Sequence, residues 1–239
     1  MDATLTIDRR FRGPRRSGNG GVSAGLAAAF LDGPATVRLR RPPPLDRPLN
    51  VHRELDDVSV MDGDELVLHA RPATETVEVA VDDELLQHTF EQGPTPVPED
   101  YPAPECFVCG PRQDGLGICP QAMDGTDVWA TVWIPDRSVS SDGLHVDPHV
   151  VWGALDCPAG LAVVSYGRAP LTHFPALTQF TVTLEQPVRV GQPVAVWGWS
   201  SGQEEDHVDG STAIIDADGV VQATGHARHA LLSADFAHR

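Results

Sequence analysis

Lysine is absent from the 239 residues, so every strong cation is an arginine. Acidic residues outnumber arginines two to one, 34 against 17, giving a net charge of -17. That balance argues against a general nucleic-acid binder. No run approaches the ~18 consecutive apolar residues of a membrane-spanning helix. The opening MDATLTIDRRFRG has no apolar core of a signal peptide. The expected compartment is therefore the cytoplasm. Four cysteines (Cys106, Cys109, Cys119, Cys157) are too few for a disulfide scaffold, and reduced thiols are expected.

The arginines are unevenly placed. Nine of them, from Arg9 to Arg47, crowd the first fifth of the chain. They flank Ser17-Gly18-Asn19-Gly20-Gly21-Val22, which opens a stretch of small and apolar residues running to Leu31. Asn at a helix start satisfies orphan backbone donors. Glycines there leave bare N–H groups approachable, where the helix dipole favours negative charge. A helix with no charged face must be buried on most of its surface. This predicts a buried helix whose N-terminus is an anion or carbonyl site, with Arg12, Arg15 and Arg16 placed to take phosphate groups of a ligand.

Period-two alternation predicts strands over 2–8, 35–40, 49–51, a hairpin over 58–68 and a strand over 76–81. Residues 91–104 hold five prolines and read as a stiff linker, dividing an N-terminal domain (1–90) from a C-terminal one (105–239). In the second part, Asp147-Pro148 is a good helix start. Pro158 is expected to kink or end that helix, because it frees the carbonyl of Ala154. Strands are predicted over 128–134, 178–185, 193–199, 208–216 and 220–231. Residues 35–51 align with 180–196 without a gap, with Thr36/Thr181, Val37/Val182, Leu39/Leu184, Pro42/Pro187, Pro48/Pro193 and Val51/Val196 identical. Each copy follows an apolar helix, so an internal duplication is predicted.

Several weak motifs occur in a telling order: Cys106-Phe107-Val108-Cys109-Gly110, Gly115-Leu116, Ala154-Leu155-Asp156, Gly191-Gln192-Pro193 and Asp218-Gly219-Val220. Together they resemble the acyl-CoA thioesterase branch of the hotdog superfamily. The resemblance is best over 105–231 and looser over 11–81. It implies an α+β double hotdog, two antiparallel sheets each wrapping a central helix, with a shortened first copy. It also implies a site of two parts: a His-Gly-Gly turn at one helix N-terminus and an acid further along the partner helix. Asn19-Gly20-Gly21 matches the turn with Asn for His, but the acid position of that helix is Ala28. Asp156 occupies the acid position of the second copy, whose turn, Asp147-Pro148-His149, lacks glycine. One composite site is therefore expected. Asp156 would act as base or nucleophile, Asn19 would position substrate or water, and Gly20, Gly21 or Val22 would supply oxyanion N–H groups. Trp152 would join Val22 and Arg12, Arg15 and Arg16 in binding substrate.

The implied activity is hydrolysis of an acyl-CoA or acyl-carrier thioester, with no cofactor beyond the CoA of the substrate and with room for a homodimer. Two other readings stand beside it. One is a non-catalytic acyl-thioester binding protein. The other is an enoyl-thioester hydratase or dehydratase, suggested by His145-Val146-Asp147, although Asp142 lies at the wrong spacing. A zinc site at Cys106-x-x-Cys109 with Cys119 would need Cys157 or His145 as a fourth ligand, so no metal is expected.

Overall fold

The computed structural model describes residues 3–165, 173–203 and 207–233. The elements follow in the order β1 (Ala3–Thr6), α1 (Gly20–Ala28), β2 (Ala35–Leu39), β3 (Pro48–Glu54), β4 (Asp57–Asp62), β5 (Glu65–Pro72), α2 (Asp83–Gln92), β6 (Gln121–Ala122), β7 (Val128–Trp133), α3 (Pro148–Val163), β8 (His173–Leu184), β9 (Val194–Gln203), β10 (His207–Ile215) and β11 (Val221–Ser233). The predicted first strand begins at Asp2, which lies outside the described residues. None of the described helices is long and apolar enough to cross a membrane.

The strands form one antiparallel sheet, β1-β3-β4-β5-β2-β8-β11-β10-β9-β7-β6. This corrects the expectation of two sheets. The reason lies in β2, whose two edges are both usable. One edge pairs with β5 and the other with β8. Ala35, Thr36 and Val37 are buried there, so the seam between the halves is part of the interior. The pairing is between the two copies of the sequence repeat: Thr36 sits opposite Thr181, Ala35 opposite Val182 and Val37 opposite Phe180. The equivalent hydroxyls of Thr36 and Thr181 share a hydrogen bond of 2.8 Å. From that seam outward the first five strands follow the same order in both directions, and β6 adds a sixth beyond β7.

The two apolar helices cover one face of this sheet. α1 packs on β2, β5 and β8, α3 packs on β8 to β11, and the helices meet each other. Apart from Asp156, α3 carries no charge from Val150 to Val163, and nearly all of it is buried. Close approach between the helices is made by glycine. A Cβ on Gly21 would lie 2.5 Å from the Trp152 carbonyl oxygen, and one on Gly25 2.7 Å from the Cα of His149. Pro158 does not end α3. The helix continues to Val163, and Gly198 and Gly210 on the sheet make room for the backbone at Pro158 and Ala159.

The predicted strand at 76–81 is not formed; 73–82 has no ladder hydrogen bonds, and α2 follows. Val79 and Val81 do reach a core, but by lying against α2's cluster on the other face of the sheet. Asp82 caps α2, its side chain accepting from the Leu85 N–H, and Gly93 at φ +71° ends it. The helix therefore takes in Glu91 and Gln92, the first residues of the expected linker. Leu86 packs with Met123, Ala195, Trp197 and Ile215, and the Trp197 indole donates to the Thr89 hydroxyl at 3.1 Å. Trp129, Trp133 and Trp197 are thus core residues, and Trp199 packs half-buried against this cluster.

Candidate functional site

Asn19 is fixed from four sides. Its N–H donates to the Phe11 carbonyl at 2.7 Å, its carbonyl accepts from the Ser23 N–H and hydroxyl, and its Oδ1 accepts from the Val22 N–H at 2.9 Å. That cap leaves the amide Nδ2 pointing away from α1, where it donates to Asp156 Oδ2 at 3.2 Å. The same carboxylate oxygen accepts from the Gly21 N–H at 2.8 Å. The carboxylate of α3 thus sits at the N-terminus of α1. Asp156 is only 7 % exposed. An ionised carboxylate is costly to bury without partners. Here two N–H donors and the positive end of the α1 dipole compensate it.

The second carboxylate oxygen, Oδ1, is directed elsewhere. It lies 3.9 Å from Nε2 of His229, a residue of β11 that is 1 % exposed and whose Nδ1 has no hydrogen-bond partner among the described residues. Both residues line a pocket of about 380 Å³. Its walls are mainly apolar, from Leu161, Phe174, Leu177 and Leu232, and the lining includes Pro14 and the exposed Arg40 and Arg41. Gly20 lies on its wall, and a Cβ there would come within 2.9 Å of Leu177 and 3.3 Å of Asp156 Oδ2. The Gly21 and Val22 N–H groups are already engaged. The N–H of Gly20 has no acceptor among the described residues.

Three thiols border the same pocket: Cys106, Cys109 and Cys157, with all three Sγ atoms within 4.8 Å of one another. Cys106 and Cys157 are 3.7 Å apart. Asn19 Nδ2 lies 4.0 Å from Cys106 Sγ and 3.8 Å from Cys157 Sγ. Donation from the Cys109 and Cys157 thiols pulls the Cys106 pKa well down, and the same pairing holds those two donors well up. Tyr101, buried beside Cys109, has its hydroxyl pKa raised, chiefly by desolvation. Cys119 belongs to a different place; burial pushes it up to about 11.

The remaining predicted residues divide. Val22 is a buried cap partner. Arg12 is paired to Glu105 at 3.0 Å and is half-buried, while Arg15 and Arg16 are exposed on the loop between pocket residues Pro14 and Ser17. Trp152 stacks edge-on against Phe180 inside the interface between the helices, outside the pocket lining. In the second crevice, α1 offers no acid, and Asp147 turns its carboxylate to the Ser141 N–H and hydroxyl. His145 forms an exposed pair with Asp142 at 2.9 Å, away from the pocket. Arg40 and Arg41, members of the N-terminal arginine cluster, join the pocket lining in place of Arg12, Arg15 and Arg16. Sequence reasoning missed His229 and Tyr101, of which only Tyr101 carried a signal, as the one aromatic in the proline-rich segment.

No protein-family model matches the sequence, and comparison with curated proteins gives no match. Solved structures do match. A conserved protein of unknown function with a hot dog fold from Alicyclobacillus acidocaldarius superposes with a TM-score of 0.60 at 16 % identity, over 97 % of this chain and 93 % of the other. The TesB protein of Mycobacterium avium subsp. paratuberculosis gives 0.58 at 12 % identity, over 96 % and 92 %. The acyl-CoA thioesterase II TesB2 of Mycobacterium marinum gives 0.56 at 14 % identity, over 97 % and 93 %. Agreement over nearly the whole of each chain shows that this protein has the hotdog fold.

Proposed function

We propose that this chain hydrolyses an acyl thioester at one composite site between two hotdog halves. The observation that carries the reading is the junction of Asp156 with the Asn19-Gly20-Gly21 turn, a carboxylate and a helix N-terminus supplied by opposite halves. The pocket's apolar wall suits an acyl chain, and the exposed Arg15, Arg16, Arg40 and Arg41 suit phosphates at its opening. Two of the similar structures are named as TesB proteins, one of them as an acyl-CoA thioesterase II.

In this reading the thioester carbonyl oxygen accepts from the Gly20 N–H. An N–H at a helix start stabilises the oxyanion as charge develops, an effect worth about 3 kcal/mol per donor. Asp156, held through Oδ2, uses Oδ1 to take a proton from water as the water attacks the carbonyl carbon. The tetrahedral intermediate collapses, the C–S bond breaks, and the proton goes to the departing thiolate. His229 adjoins Oδ1 and orients the carboxylate. Asn19 takes the place of the expected His and holds the base in line.

A panel of acyl-CoAs tests this with the wild type and Asp156→Asn. The amide can still accept from Gly21, so the fold is preserved. Loss of about 10²–10⁴-fold in kcat is expected, the usual weight of a general base. Unchanged turnover removes Asp156 from the chemistry. One observation favours a second reading, an acyl-thioester binder: two of the three turn N–H groups are spent inside the protein, which leaves a single oxyanion donor. Thermal stabilisation by acyl-CoA without turnover would select it.

A further inference from the structure

We propose that Cys106, Cys109 and Cys157 form a binding site for a thiophilic metal ion, with Zn²⁺ as its reference cation, on the wall of the pocket. Among the described residues, these three side chains are a group whose ligand atoms come close enough to share one ion. They come from two separate elements. Cys106 and Cys109 sit on one tight turn, closed by the Gly110 N–H donating to the Cys106 carbonyl at 3.0 Å, and Cys157 projects from α3. Gly110 cannot be replaced by a larger residue without meeting that carbonyl, so the turn holds its two thiols in a fixed relation.

The spacing fits a metal. With Zn–S bonds of about 2.3 Å, ligand sulfurs in a tetrahedral site stand roughly 3.8 Å apart. Cys106 and Cys157 are already at 3.7 Å. The donor set, three soft sulfurs, favours Zn²⁺ or Cu⁺ over Mg²⁺ or Ca²⁺. Asn19 aims an amide N–H toward two of the sulfurs. Such outer donors orient and tune metal ligands. The sequence pattern grouped Cys119 with this pair and left Cys157 or His145 as the fourth ligand; in the structure Cys157, the neighbour of Asp156, joins the pair and Cys119 is outside the group. All three cysteines line the pocket, so the fourth coordination position opens into it and accepts water or a sulfur or oxygen of a bound molecule.

The site is independent of the hydrolase reading and is tested without substrate. Full-length protein is stripped with chelator under a non-thiol reductant and titrated with Co²⁺, then with Zn²⁺. One equivalent of Co²⁺ is expected to give a sulfur-to-cobalt charge-transfer band with the intensity of three thiolates, and Zn²⁺ to abolish it. Cys109→Ser and Cys157→Ser should each weaken Zn²⁺ binding by more than about 100-fold, since loss of an outer partner alone typically costs 10–100-fold. Cys119→Ser should bind as the wild type does. Absence of the band in the wild type overturns the proposal, whatever the stability of the variants. So does a band that survives undiminished in both Cys109→Ser and Cys157→Ser.

Discussion

Gly21 shows how tightly single atoms are constrained at the junction of the two halves. Its N–H holds Asp156 while its missing side chain admits the Trp152 carbonyl and the Asp156 Cβ, which a Cβ would approach to 2.5 and 2.6 Å. Neither neighbour is the free end of a flexible chain. Gly21→Ala is therefore expected to destabilise by about 1–3 kcal/mol, as overpacking does, read as a fall in the denaturant midpoint. A second residue effect is electrostatic. His149 is buried against Phe11, and desolvation lowers its pKa below the ordinary 6.5. The unfolded chain then binds its proton at a higher pH than the folded one does. Stability should be complete above about 6.5 and decline as pH falls through that value toward the folded pKa. His149→Phe should flatten the slope in this window while leaving the steeper losses below pH ~4, where the lowered carboxylates of Asp46, Asp136 and Asp209 take up protons. Equilibrium unfolding at a series of pH values reads both. At this scale the capping role of Asn19 is a local signal, while the contact of Asp156 with Asn19 and Gly21 joins residues more than a hundred positions apart. The sequence could not announce His229, because a histidine on a strand acquires its neighbour from a helix more than sixty positions earlier.

Elements were legible where one face decided their fate, and illegible where two surfaces competed. Val77, Val79 and Val81 alternate as a strand would, yet no strand edge reaches them; they are used as a strap beside α2. α2 itself hides behind acidic residues, Asp82, Asp83 and Glu84, that look like loop in sequence and serve as cap and first turn in the structure. Such charges favour a helix start. Asp82→Ala should cost about 1 kcal/mol, the usual value of an N-cap, and should loosen the α2 amides most. Amide exchange across residues 83–92 measures it. Pro158 does not end α3 for a related reason. It removes one helical hydrogen bond, but packing against two sheet glycines outweighs that loss.

For the molecule as a whole, the two copies of the sequence repeat pair with each other as β2 and β8, while the union of all the strands into one sheet was not visible. Pairing of β2 with β8 depends on which edges remain open after each half has folded, and no local pattern records that. The Thr36–Thr181 hydrogen bond lies at the centre of the seam. A double-mutant cycle with Thr36→Val and Thr181→Val should give a coupling of about 0.5–1.5 kcal/mol, the net value of one hydrogen bond. Because the hydroxyls serve each other, the double variant should be less damaged than the sum of the singles. The asymmetry between the two helix starts has a further consequence. A pair of identical subunits would present the same crevice twice, whereas this polypeptide placed its acid in α3 and its diglycine bend in α1, and left Ala28 and Asp147 at the mirrored positions. On the proposed reading, a slowly exchanging, unreactive thioester analogue should saturate at one equivalent per chain, and substitutions confined to the mirrored crevice should leave turnover unchanged.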